Sequence, residues 1–142
     1  MKSGEAMNEN PSIGNQTGQR MWHLMTLLPE STPDEMLARA GTESTSPWYS
    51  GHFPGEPILP GIAQIVMVKE TIQQAEDRRV EIAGLKRVRF KQVIQPGDEI
   101  TIRVRPREGD QDVYSFQVTV DGEIACSGIL SVAPGLDGQT AG

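Results

Sequence analysis

Residues 61–79, GIAQIVMVKETIQQAEDRR, constrain the fold of this chain more than any other stretch. They come after SGHFPGEPILPG (50–61), a loop too dense in glycine and proline to be helical. Pro60 suits the first position of a helix, where its fixed φ is an advantage and its missing N–H costs nothing. The segment after it has helical composition, but Ile62 to Val68 is apolar on every side except Gln64. A helix on a protein surface carries a polar face. This one must be enclosed by the rest of the chain over its first two turns. From Lys69 onward it becomes amphipathic, with Ile72 and Ala75 turned inward.

The second half of the chain supplies the enclosure. Residues 82–90 (IAGLKRVRF), 99–106 (EITIRVRP), 112–120 (DVYSFQVTV) and 123–132 (EIACSGILSV) read as strands. Ile100, Ile102 and Val104 alternate with Thr101, Arg103 and Arg105, and Tyr114, Phe116, Val118 and Val120 share one face. Gln95-Pro96-Gly97-Asp98 is a turn, and Asp121-Gly122 signals a tight hairpin. Ahead of the loop, 20–28 (RMWHLMTLL) spaces Trp22, Met25 and Leu28 like a short helix, ended by Pro29 and Pro33; 36–46 alternates weakly and reads as a strand. The expected fold class is α+β, an antiparallel sheet wrapped around one long central helix. Such a sheet leaves an edge exposed, and a second copy could pair with it.

The boundaries rest on composition. Residues 1–19 and 133–142 are rich in Gly, Asn, Gln, Ser and Thr, and they read as disordered tails flanking a single domain at 20–132. With 13 basic and 19 acidic residues the net charge is −6, which argues against a general nucleic-acid binder. Leu24 to Leu28 is too short for a signal-peptide core, and no apolar run approaches membrane-span length. A cytoplasmic protein is expected. One cysteine, Cys126, and two histidines, His23 and His52, argue against disulfides and a metal centre.

Chemistry concentrates in Gly51-His52-Phe53-Pro54-Gly55-Glu56 and the helix start. An imidazole suits proton transfer near neutrality. The N–H groups opening a helix suit a carbonyl oxygen that gains negative charge. Together they form an arrangement for taking a proton from carbon beside a carbonyl. GHFPG, then ILPG and an apolar helix, then LKRVRFKQVIQPGDEI (85–100), resembles the 3-hydroxyacyl-acyl-carrier-protein dehydratases of the FabA/FabZ type, over about 40–132. The resemblance implies the hot-dog fold, dimers with sites at the interface, and dehydration of a 3-hydroxyacyl thioester without metal or cofactor. It implies His52 as the base, the Gly61 N–H as the carbonyl holder, Gly55 in the substrate-facing loop and Phe90 beside an acyl tunnel. The depth of that tunnel would depend on packing around Met67, Phe90 and Ile94.

One departure bears on the chemistry. The family's helix carboxylate lies fourteen positions after the histidine, and that position here is Val66. Valine can line a substrate pocket but holds no proton for a leaving hydroxyl. Glu70, one turn further and about 6 Å along the axis, reads either as a solvated residue or as the displaced acid. Glu56 is either exposed or an orienter of His52. His23 reads as structural or surface, Cys126 as a packed strand residue. Lys86, Arg87, Arg89 and Lys91 form a basic cluster, either a plain exposed strand face or a dock for an acidic acyl-carrier protein. Arg103, Arg105 and Arg107 flank it. Three functions are open to such a chain: a dehydratase acting on carrier-bound or CoA-bound chains, as a homodimer or an assembly of dimers; a non-catalytic acyl-thioester-binding subunit, or one whose partner supplies the carboxylate; and an acyl thioesterase.

Overall fold

A computed structural model describes residues 22–50 and 57–135. The expected N-terminal tail and most of the expected C-terminal tail lie outside the described residues. Among the described residues, six strands and one α-helix run in the order β1 (Leu24–Leu27), β2 (Met36–Gly41), a 3-10 turn (Pro47–Tyr49), α1 (Gly61–Glu76), β3 (Val80–Phe90), β4 (Ile100–Pro106), β5 (Val113–Val120) and β6 (Glu123–Pro134). The strands form one sheet, ordered β1-β2-β4-β5-β6-β3. All neighbours are antiparallel.

The period-two patterns become the inner face. Met36, Ala38 and Ala40 of β2, Ile100, Ile102 and Val104 of β4, and Tyr114, Phe116, Val118 and Val120 of β5 are all buried. They close over Ala63, Met67, Val68 and Ile72 of α1. Burying a side chain of this size contributes roughly 1.5–3 kcal/mol, so the contact between the helix and the inner face of the sheet is strongly stabilising. Both turns form as expected. Gly97 takes φ 91°, and Asp121 and Gly122 take φ 54° and 78°, the left-handed pair that a primed hairpin turn requires.

Several details correct the sequence reading. Residues 20–28 hold a strand at 24–27 in place of the expected helix, because pairing Leu24–Leu27 with Ala38–Gly41 overrides a helical spacing of three apolar side chains. The strand at 36 ends at Gly41, and Thr42 to Ser46 lead into the 3-10 turn. The helix ends at Glu76 rather than 79, where Asp77 adopts φ 54° and stops it. Pro60 is the cap itself, with Gly61 the first helical residue. The last strand reaches Pro134, past the expected boundary at 132.

The sheet has two edges, β1 and β3. The edge at β3 is irregular: its pairing with β6 shifts between Ile82 and Gly84 and again between Lys86 and Arg89. Arg87 sits at the second shift with φ 56°, a conformation that costs an L-residue about 1–2 kcal/mol.

Candidate active site

The helix opens without a side-chain cap, so its first N–H groups are offered to whatever lies in front of them. The glycine at 61 lets the Phe90 ring lie directly against the helix start. A Cβ there would lie 2.6 Å from Cζ of Phe90. The ring lies over the helix start yet remains 54% exposed. Behind it, the Leu59 N–H donates to the Ile94 carbonyl at 2.7 Å, tying the entry to the helix to the segment after β3. Met67 and Ile94 are fully buried. Of the three residues expected around a tunnel, only Phe90 meets solvent.

His52, Gly55 and Glu56 lie outside the described residues. The remaining expected residues are placed. Val66 is half-buried one turn and a half into α1. The expectation that the first two turns are enclosed holds on all but one side: Ala63, Gln64, Ile65, Met67 and Val68 are buried, while Ile62 is 59% exposed. Gln64 is 2% exposed. Its Oε1 has no hydrogen-bonding partner among the described residues.

Glu70 is neither a freely solvated residue nor an isolated acid. Its side chain is 33% exposed, and its Oε1 lies 2.6 Å from Nε2 of His23. His23 in turn is neither a surface residue nor without companions. Its side chain is 8% exposed, and its Nδ1 accepts from the Trp48 indole N–H at 2.9 Å. The Trp22 ring meets Trp48 edge-on, with centroids 4.7 Å apart. Residues 25 and 47 positions apart in sequence are brought together here, which no local pattern announces.

Lys86, Arg87, Arg89 and Lys91 are all exposed at the end of β3 next to Phe90. Lys86 and Arg87 line a groove with Arg107. Arg103 and Arg105 are engaged elsewhere, both with Glu35. The hydrogen bond from Arg105 holds the Glu35 carboxyl below its usual range. Cys126 is fully buried, and burial pushes its thiol up to about 11, so it is a packed residue and no nucleophile at neutral pH. No group of three metal-ligating side chains occurs among the described residues. No helix of the described residues is long and apolar enough to cross a membrane.

The profile of the ApeI-like dehydratases (ApeI dehydratase) matches residues 29–129, which take in β2 to β5, the helix and the first half of β6. The chain belongs to the ApeI-like dehydratase family. The dehydratase is 34% identical over 120 residues to the 3-hydroxyacyl-[acyl-carrier-protein] dehydratase FabZ of Polynucleobacter asymbioticus, covering 78% of this chain and 80% of that one. Among solved structures, it resembles the ApeI:P dehydratase heterocomplex of Xenorhabdus doucetiae with a TM-score of 0.64 and 25% identity, over 73% of this chain and 91% of that one. A hypothetical thioesterase with coenzyme A from Streptococcus pneumoniae superposes with a TM-score of 0.58 over 78% of this chain and 87% of that one, at 8% identity, and so shares the fold alone. The architecture of the dehydratase is the hot-dog fold, a sheet wrapped on a single long helix.

Proposed function

We propose that this dehydratase removes water from a 3-hydroxyacyl thioester, carried on acyl-carrier protein or CoA, to give the trans-2-enoyl thioester. The observation that carries the reading is the uncapped helix start at Gly61, immediately after the histidine loop and roofed by Phe90. A thioester carbonyl placed there accepts hydrogen bonds from backbone N–H groups fixed by the helix, which stabilises the enolate-like charge that develops when C2 loses its proton. His52 takes that proton. The C3–O bond breaks, and the departing hydroxyl takes a proton from Glu70 or from a water that Glu70 holds. Water leaves, and the proton on His52 returns to the carboxylate side through solvent, so nothing is consumed. No metal or redox cofactor enters this scheme.

Residues 20–132 act as the catalytic domain in this reading. Two copies pair along the β3 edge, where Leu85 and Phe90 are exposed apolar residues, with Ile62 of the helix exposed as well. The exposed cluster Lys86, Arg87, Arg89 and Lys91 receives the acidic carrier. Reversing two of those charges should raise KM for a carrier-bound substrate and leave the CoA thioester unaffected.

The decisive test is turnover of a 3-hydroxybutyryl thioester, read as enoyl absorbance. The wild type should show it, and His52→Ala should abolish it. A second reading has its own observation, the half-buried Val66 at the position expected to hold an acid. If the purified chain is inert and regains activity with a co-expressed homologue, the carboxylate comes from a partner subunit. Release of free thiol would identify a thioesterase instead.

A further inference from the structure

We propose that His23 is a positioning residue that holds Glu70 for the reaction, and that Trp48 fixes the state in which His23 does so. The proposal rests on the reading of Glu70 as the carboxylate that serves in place of residue 66.

Both ring nitrogens of His23 are in use. An indole N–H can only donate, so the 2.9 Å contact from Trp48 makes Nδ1 the acceptor. The proton of the neutral ring then resides on Nε2, and Nε2–H donates to Oε1 of Glu70 at 2.6 Å. The tautomer is thus dictated by the neighbour on the far side of the ring, the same logic by which outer groups orient a catalytic or metal-bound imidazole. The His23 and Trp48 rings lie side by side and close to coplanar, centroids 6.1 Å apart and 21° between planes, the orientation that an in-plane N–H to Nδ1 hydrogen bond requires. Trp48 is itself braced by the edge of Trp22 and by Ser46, whose Oγ accepts from the Trp48 backbone N–H.

Glu70 needs such a holder. It stands where α1 changes from enclosed to amphipathic, on a side chain with three rotatable bonds. A free glutamate there would lose rotamer entropy on being fixed. His23, nearly buried, absorbs that cost into the fold. Side chains on a helix slant toward its N-terminus, so a glutamate one turn beyond Val66 reaches back toward the position that valine leaves empty of chemistry. One carboxylate oxygen is anchored to His23. The other has no hydrogen bond among the described residues and is available to the substrate hydroxyl or a water. Two further charged groups, Glu43 and Asp98, share an open groove with His23 on the side of β2 and the Gln95–Asp98 turn.

The test uses the full chain with 3-hydroxybutyryl-CoA. Glu70→Gln comes first: turnover at the wild-type rate would overturn the reading of Glu70 itself. If Glu70→Gln is slow, His23→Phe and Trp48→Phe should each lower kcat by about 10- to 100-fold with KM little changed. His23→Gln, which keeps a donor, should recover much of the loss. The double variant His23→Phe/Glu70→Gln should be no slower than Glu70→Gln alone, since His23 acts through Glu70. A multiplicative loss in the double variant would overturn the proposal while leaving Glu70 in place. Should His23→Phe fail to fold, Trp48→Phe and nitrogen NMR of the two histidines decide: the wild-type His23 must show the Nε2–H tautomer, and an Nδ1–H tautomer would sink the idea.

Discussion

The two ends of α1 are built on opposite terms. At the far end, polar groups are matched to one another. Arg78 donates to Glu76 and Asp112 and to the Tyr114 hydroxyl, which in turn donates to Glu76. Burial alone would lower the Arg78 pKa, and the hydrogen bonds to Asp112, Glu76 and Tyr114 outweigh it and raise it. Burial, reinforced by Glu76, pushes the Tyr114 phenol up to about 12. At the near end the matches are left open. The helix start has no side-chain cap, Gln64 keeps a buried oxygen without a partner among the described residues, and Ile62 and Phe90 face outward. A fold at this size can leave such groups unsatisfied only where something else is to meet them, and the closed network at the other end shows that the chain has the means to satisfy them when stability is the purpose.

The contrast can be broken most sharply at Gly61. A methyl group there collides with the Phe90 ring. Because that ring is exposed and can swing away, Gly61→Ala should slow turnover at least about 10-fold, as displaced substrate-positioning groups do, with a melting temperature close to wild type. Adding Phe90→Ala should relieve the collision and restore part of the rate; no recovery would show that the glycine matters for another reason. The opposite pattern is expected at the far end. Arg78→Ala strands two part-buried carboxylates and should cost about 1–3 kcal/mol in chemical denaturation, with kcat unchanged. A loss of activity without a loss of stability would join the two ends functionally.

Gln64→Met offers a smaller and more discriminating effect. Replacing a buried amide whose oxygen has no partner among the described residues with an apolar chain of similar shape should raise stability by about 1 kcal/mol. If stability falls instead, the oxygen has a partner within the fold. The smallest effect is in the pH dependence. Tyr114 and Cys126 both titrate higher when folded, near 12 and near 11, so the folded state favours their protonated forms. Their contribution is complete below the unfolded values and is lost as pH rises through the folded ones. Denaturation midpoints should therefore fall between about pH 9 and 12, and Tyr114→Phe should flatten the upper part of that decline.

Much of this architecture is legible in the sequence because its causes are local. The alternation in 100–104 and 114–120 names the buried face, Asp121-Gly122 names the hairpin, and a helix whose first two turns are almost wholly apolar demands a wrapping sheet. The failures have a common cause. Trp22, Met25 and Leu28 satisfy a helical spacing, yet β2 offers Leu24–Leu27 a strand partner that sequence does not display. The departure at Val66 and the candidate at Glu70 can be found by counting from His52. The group that holds Glu70 cannot, because His23 precedes the sheet's first hairpin and Trp48 lies in the 3-10 turn beyond it, separated from Glu70 by 47 and 22 residues.

The kink at Arg87 has a bearing on how copies of this chain can associate. A flat, unbroken border of backbone groups invites addition without limit, the geometry of fibres. Here the border is broken twice, between Ile82 and Gly84 and again between Lys86 and Arg89, where a left-handed, positively charged residue interrupts it. Open-ended addition of copies along that border is therefore disfavoured.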